Sequence, residues 1–176
     1  MKTAIYAGSF DPFTNGHLDI LMTAASIFNT VHLVFASNSQ KTRSYDATEQ
    51  AAALEDHFIT LGLTNIKIII LPDDKLLVDY AKENNIKFFI RGVRNVNDYE
   101  YERQLAESYS ILYPKAQVIY INSRFPYLSS SFVREMIRYN KDWQIYIPKP
   151  IAEIIQEELN IIENLHSAFN GLFTHN

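Results

Sequence analysis

The chain has no cysteine. Disulfides, thiolate nucleophiles and cysteine-ligated metals are therefore excluded, and a cytoplasmic setting is expected. Glycine is scarce, at five in 176 residues, so each is worth locating. There is no basic excess: 16 Lys and Arg stand against 20 Asp and Glu, a net charge of −4. That balance argues against a nucleic-acid partner, while a local cationic cleft for a phosphorylated small molecule needs only a few side chains. No apolar stretch approaches the roughly 20 residues that span a bilayer, and the N-terminal "MKTAIYAGSF" lacks the long apolar core of a signal peptide, so no membrane partner is expected. What is present is the balance of a folded protein, with 47% hydrophobic and 20% charged residues.

Short apolar runs alternate with longer amphipathic stretches. The runs are 4–7, 31–36, 66–71, 86–90 and 117–121, each of strand length and rich in β-branched or aromatic residues. Their near-continuous apolarity predicts strands buried on both faces of a parallel sheet. The helical patterns begin with "HLDILMTAASIF", which spaces Leu18, Leu21, Met22, Ala25 and Phe28 on one face, and "TEQAAALEDHFITL", with a polar cap expected at Thr48. They continue with "LLVDYAKENN", "VNDYEYERQLAESYSIL" and "SSSFVREMIRYN", and end with "PIAEIIQEELNII". This alternation predicts a single-domain α/β fold, a doubly wound, five-stranded parallel sheet with helices on both faces. The domain is expected over 1–160, with 161–176 as a helix end and tail. The last stretch, "HSAFNGLFTHN", shows no clear period and is expected to fray or pack loosely.

In such sheets ligands bind beyond the carboxyl ends of the strands. Four of the five runs end in "GSFDPFTNGH", "SNSQK", "RGVRN" and "NSRFPYLSSS", while the third is followed by acidic "PDDK". One edge thus collects Lys41, Arg91 and Arg94 with the hydroxyls of Ser9, Thr14, Ser129, Ser130 and Ser131. Gly16 opens a helix whose free N–H groups favour an anion. The set suits a polyphosphate, yet it is neither GxGxxG nor GxxxxGK[ST]. A histidine at the helix start, His17, can donate to a phosphoryl oxygen and stabilise charge as bonds change at phosphorus.

Plainer readings stand beside these. His32, His57, His166 and His175 read as structural or exposed. Lys41 could be a solvated loop residue, and Arg91 and Arg94 could pair with Asp98, Glu100 or Glu102. One of the three serines is expected to be a simple N-cap, and Asp11 with Pro12 could merely shape the turn. Leu77 is a core residue by default.

"GSFDPFTNGH" resembles the T/H-x-G-H signature of the nucleotidylyltransferase superfamily, whose fold is Rossmann-like. "RGVRNVNDYEYERQLA" and "SSSFVRE" are similar to motifs of bacterial phosphopantetheine adenylyltransferases, and the likeness runs in register over roughly residues 2 to 160. The resemblance implies transfer of AMP from ATP to 4′-phosphopantetheine, giving dephospho-coenzyme A and pyrophosphate. It also implies magnesium as cofactor, held by phosphate oxygens and water with no protein ligand named, a homohexamer, and coenzyme A as a candidate feedback ligand.

The same resemblance assigns roles. His17, Lys41, Arg94 and Thr14 become catalytic. ATP falls to Ser9, Phe10, His17, Gly92, Val93, Arg94, Glu102, Phe125, Pro126, Tyr127, Leu128, Ser129, Ser130 and Ser131. The acceptor falls to Ser9, Lys41, Leu77 and Arg91, with Asp74 nearby. Two stretches depart from the family pattern. Ser108 and Tyr109 replace a Met-Asn pair, and Thr42, followed by Arg43, replaces a second basic residue beside Lys41. An aminoacyl-tRNA synthetase domain shares the Gly-His turn but would need a "KMSKS"-like loop and an RNA-binding surface; the remaining rivals are another nucleotidylyltransferase, acting on nicotinamide mononucleotide or making a cytidylyl transfer, and a catalytically silent nucleotide sensor. "RGVR" with "DYEYE" argues against the former, and the presence of His17 and Lys41 against the latter.

Overall fold

In a computed structural model, residues 1–36 and 42–173 are described, with side chains as far as 166. Lys41 therefore lies outside the described residues. The elements are β1 (Thr3–Gly8), α1 (Asn15–Ile27), β2 (Thr30–Phe35), α2 (Ala47–Thr60), β3 (Ile66–Ile70) and α3 (Leu77–Glu83). They continue with β4 (Phe88–Val93), α4 (Val96–Leu112), β5 (Gln117–Asn122), α5 (Ser130–Arg138), a 3₁₀ turn (Gln144–Tyr146) and α6 (Lys149–Phe173).

The strands form one five-stranded sheet in the order β3-β2-β1-β4-β5, all pairs parallel. The chain winds outward from β1 through β2 to β3, then crosses to β4 and β5. The order reverses between β1 and β4, which is where such sheets open a crevice.

Alternation along the strands divides the core in two. Ala4 and Tyr6 of β1, Leu33 of β2 and Ile90 of β4 face a cluster completed by Leu21, Ala24, Leu54, Phe58, Val133, Ile151 and Ile155 of α1, α2, α5 and α6. Ile5, Ala7, Val34 and Phe89 face the other side, where Val78 and Ala81 of α3 and Tyr109 of α4 pack. The expected doubly wound architecture is present.

Burial on both faces holds for the three inner strands. The outer strands β3 and β5 are half covered, because each has a neighbour on one side only. Four further expectations shift. The buried side of α1 is Gly16, Asp19, Ile20, Leu21 and Ala24, while Met22 is exposed. The N-cap of α2 is Asp46, whose carboxylate accepts from the N–H groups of Thr48 and Glu49, and Thr48 lies inside the helix. β4 begins two residues later than its apolar run and carries on through Arg91, Gly92 and Val93, since pairing with Tyr120, Ile121 and Asn122 extends it. Finally, α6 continues unbroken to Phe173, across the stretch that showed no period.

Candidate active site

The β1–α1 turn is shaped by one aromatic ring. Phe10 takes a left-handed backbone, φ 46°, which is unusual for a residue with a Cβ. Its ring folds back to lie 5.4 Å from Tyr6, 5.1 Å from Phe35 and 5.0 Å from His17. A Cβ on Gly8 would sit 2.8 Å from that ring, which explains the glycine.

Thr14 caps α1 and is fully buried. Its Oγ1 accepts from the His17 backbone N–H at 3.3 Å, and its own N–H donates to His17 Nδ1 at 3.0 Å. This is a capping box in which imidazole replaces the usual carboxylate. Nδ1 serves as the acceptor, so the proton of the neutral ring belongs on Nε2. Burial, and then the charge of Arg94, push the His17 pKa down to about 3. The ring is therefore a neutral donor, and Nε2–H is the group it offers to the cavity.

That cavity, of about 260 Å³, lies at the crevice between β1 and β4. It is lined by Ser9, Phe10, His17, Arg91, Gly92, Arg94, Glu102, Leu128 and the serines 129–131, all predicted from sequence, together with Tyr6, Ile20, Asp98 and Ser123, which were not. Ser129 is the N-cap of α5, accepting from Phe132 N–H at 3.0 Å. Ser130 Oγ donates to Pro12 O at 2.8 Å, tying α5 to the β1–α1 turn.

Both arginines are in the cavity and both are paired. Arg91 Nε bonds Glu102 of α4, each side chain 15% exposed. Burial is the strongest single influence and works against the Arg91 charge, but the hydrogen bond to Glu102 and the surrounding charges together outweigh it and the pKa rises. Arg94 grips Asp98 with Nε at 2.7 Å and Nη2 at 2.9 Å, which raises its pKa too, and Nη1 donates to Leu128 O at 3.3 Å. Lining a cavity and pairing with α4 acids, two alternatives on sequence grounds, occur together. Burial pushes the Tyr6 phenol up as well, so it stays a neutral donor.

Not every predicted residue reaches the cavity wall. Val93 is buried beside it, Phe125 packs on the larger core cluster, and Tyr127 is exposed. Pro126 is absent from the lining. Leu77 packs with the α3 cluster, and Asp74 borders a separate depression with Lys75, Asp79, Lys82 and Glu83. Tyr109, in place of the Met-Asn pair, stacks on Phe89 at 5.0 Å. Arg43 reaches the β1–α1 turn, where its Nη2 donates to Ser9 O and its guanidinium lies 5.8 Å from the centre of the Phe35 ring. Asp11 joins three segments: it accepts from the N–H groups of Ser44 and Tyr45 at 2.9 Å, and Arg134 of α5 bonds its carbonyl. Turn-shaping is part of its role, and the larger part is fastening.

Residues 5–141 match the family model described as cytidylyltransferase-like. Over 162 residues the chain is 35% identical to a phosphopantetheine adenylyltransferase of Lachnoclostridium phytofermentans, covering 91% of this chain and 97% of the relative. This chain belongs to the phosphopantetheine adenylyltransferase family. A second member of that family, from Alkaliphilus metalliredigens, is 35% identical over 160 residues, 90% of this chain and 99% of its own. Two solved structures share the fold. One is a putative nicotinate-nucleotide adenylyltransferase from Vibrio parahaemolyticus, with TM-score 0.65 and 18% identity over 90% of this chain and 94% of that one. The other is a Plasmodium falciparum nicotinic acid mononucleotide adenylyltransferase complexed with APC, with TM-score 0.62 and 21% identity over 90% and 96%. Phosphopantetheine adenylyltransferases are thus its kin by sequence, and the nucleotide enzymes share its architecture. Among the described residues, no helix is long and apolar enough to cross a membrane.

Proposed function

We propose that the protein transfers AMP from ATP to 4′-phosphopantetheine, forming dephospho-coenzyme A and pyrophosphate. The observation that carries this reading is His17: a neutral imidazole, its Nδ1 held by Thr14, in one cavity with Arg91 and Arg94. In the reaction an oxygen of the acceptor phosphate attacks the α-phosphorus of ATP. A new P–O bond forms as the bond to the β-phosphate oxygen breaks, and pyrophosphate leaves with the electron pair. The attacking phosphate is already ionised near neutral pH, so positioning and charge stabilisation do the work.

His17 Nε2–H donates to the α-phosphoryl oxygen as charge builds there. Thr14 orients the ring. Arg94 faces the β- and γ-phosphates, Gly92 and Val93 supply backbone beside the nucleotide, and Glu102 contacts ATP. Arg91 and Lys41 take the acceptor phosphate, with Ser9 and Phe10 between the two substrates. Phe125, Pro126, Tyr127, Leu128, Ser129, Ser130 and Ser131 cover the nucleotide, and Leu77 meets the pantetheine arm. Arg43 on Ser9 O is the nearest substitute for the missing second base beside Lys41.

Magnesium would be held by phosphate oxygens of the bound nucleotide and by water, with no protein ligand required. Asp98 and Glu102, the acids of the cavity, are committed to arginines, and among the described residues no three His, Cys, Asp or Glu side chains gather as a cage. The ion supplies charge neutralisation of the polyphosphate when bound.

The reaction is placed in the cytoplasm, and coenzyme A, which contains the product's scaffold, is taken as a feedback ligand of the same cavity. A homohexamer is part of the proposal. Its support is α4, a 17-residue helix with no buried residue and with Tyr101, Ile111 and Leu112 exposed. Light scattering of the purified chain reads the oligomer directly, and a monomer removes that part.

The deciding experiment incubates the protein with ATP, magnesium and 4′-phosphopantetheine and detects dephospho-coenzyme A by mass. A parallel reaction offers nicotinamide mononucleotide. Product from the first acceptor alone is expected, and product from the second alone overturns the assignment.

A further inference from the structure

The connection between β5 and α5, residues 123–129, brings Ser123, Leu128 and Ser129 to the cavity. It is fastened at both ends. Leu128 O accepts from Arg94, as described above. At the other end the Arg124 backbone N–H donates to Asp19 Oδ2 at 3.0 Å, and the Arg124 guanidinium bonds Asp19 Oδ1. Asp19 is 4% exposed, although Arg124's own side chain is 76% exposed. A buried carboxylate on α1, two residues after His17, thus holds a backbone amide 105 positions away. Burying a carboxylate is costly unless its bonds are well made, and α1 could pack a leucine there without that cost.

We propose that Asp19 is a positioning residue of the nucleotide site: it locks the start of the 123–129 connection to the helix that carries His17. The inference rests on the reading that this connection covers the nucleotide. Asp19 touches neither substrate. Its effect passes through the Arg124 amide to Ser129 and the cavity-facing backbone, so the consequence falls on ATP rather than on the acceptor. The backbone bond matters most, because the guanidinium of Arg124 is largely in water, where an ion pair contributes little.

The test compares wild type, Asp19→Ala, Asp19→Asn and Arg124→Ala. It measures KM for both substrates, ATP affinity by calorimetry without the acceptor, and Tm. Asp19→Ala is expected to raise KM for ATP and to weaken ATP binding about tenfold, the loss of one charge-assisted hydrogen bond, with the acceptor KM close to wild type. Asp19→Asn keeps an oxygen for the amide and Arg124→Ala keeps the amide itself, so both show smaller rises. A parallel rise in both KM values, a fall in Tm with neither KM moved, or equal losses in Arg124→Ala and Asp19→Ala overturns the proposal. If Asp19→Ala does not fold, Asp19→Asn carries the test: a rise confined to ATP supports it and no split refutes it. Calorimetry reads ATP alone, so a wild-type protein inactive toward both acceptors defeats the proposed function without masking this result.

Discussion

The backbone N–H of Thr14 donates to Nδ1 of His17 at 3.0 Å. A side chain of the first helical turn is thereby turned back on its own cap, and the ring's remaining N–H is left for the cavity. A donor aimed at developing charge acts on the transition state more than on bound substrate. His17→Ala is therefore expected to lower kcat on the order of 10²–10³-fold, with ATP affinity nearly kept. Turnover measured beside calorimetry checks this, and unchanged turnover removes His17 from the mechanism.

The same ring sets a pH dependence. Its folded pKa is about 3 against an ordinary 6.5. Between those values the unfolded chain binds a proton that the folded one refuses, so stability falls as pH drops from 6.5 toward 3, and above 6.5 the effect vanishes. His17→Asn lacks this titration. Its Tm is expected to gain on that of wild type as the pH is lowered from 6.5 to 4, and to keep a constant offset between pH 7 and 8. Parallel Tm curves across the acid range contradict a depressed histidine.

The β1–α1 turn was legible because its chemistry is contiguous: Gly8, Thr14, Gly16 and His17 lie within ten residues and end a strand. The alternation of strand and helix was legible for a similar reason, since burial on two faces leaves a continuous apolar run. Asp19 was not legible. In sequence it is one polar position in an apolar helix, and its partner lies 105 residues away. Arg91 and Gly92 resembled a strand end, because an Arg-Gly pair carries the signals of a turn. Pairing with Tyr120 and Ile121 draws them into β4 instead. The cap of α2 was misplaced for a subtler reason: Asp46 and Thr48 are both good caps, and only the backbone geometry at Asp46, extended at φ −63° and ψ 132°, separates them.

Arg91 and Glu102 are each 15% exposed, so neither can lose its partner to water. Arg91→Ala is expected to destabilise the fold by about 3 kcal/mol, since it strands a nearly buried carboxylate, and to raise the acceptor KM. Adding Glu102→Gln separates the two effects. The double variant is expected to recover most of the Tm while the acceptor KM stays high, because the phosphate's cation is still missing. Thermal melts with acceptor titrations read both quantities. Recovery of KM along with Tm shows that Arg91 serves the fold alone.

Gly92 separates two arginine-bearing positions of the cavity wall, and the reason for a glycine there is Ile20. A Cβ at residue 92 would lie 2.2 Å from Ile20 Cδ1 and 3.4 Å from its Cγ1, with Ile20 itself 4% exposed. The atom met is the far end of the Ile20 side chain, which borders the cavity, so the methyl can turn aside at some cost and Gly92→Ala is expected to destabilise by about 1 kcal/mol, the low end for an overpacked site. Ile20→Val deletes the clashing atom at a cost of about 1 kcal/mol. In the double variant the two changes fill one another's space, and its loss should be clearly smaller than the sum of the single losses. Because β4 presents Arg91 just before Gly92 and Arg94 just after the strand ends, the single Gly92→Ala variant also displaces both cations, and KM rises for ATP and acceptor together. Denaturant melts of the four proteins give the coupling. Additive losses show that α1 does not press on β4 at this point and that the glycine answers to a bound substrate instead.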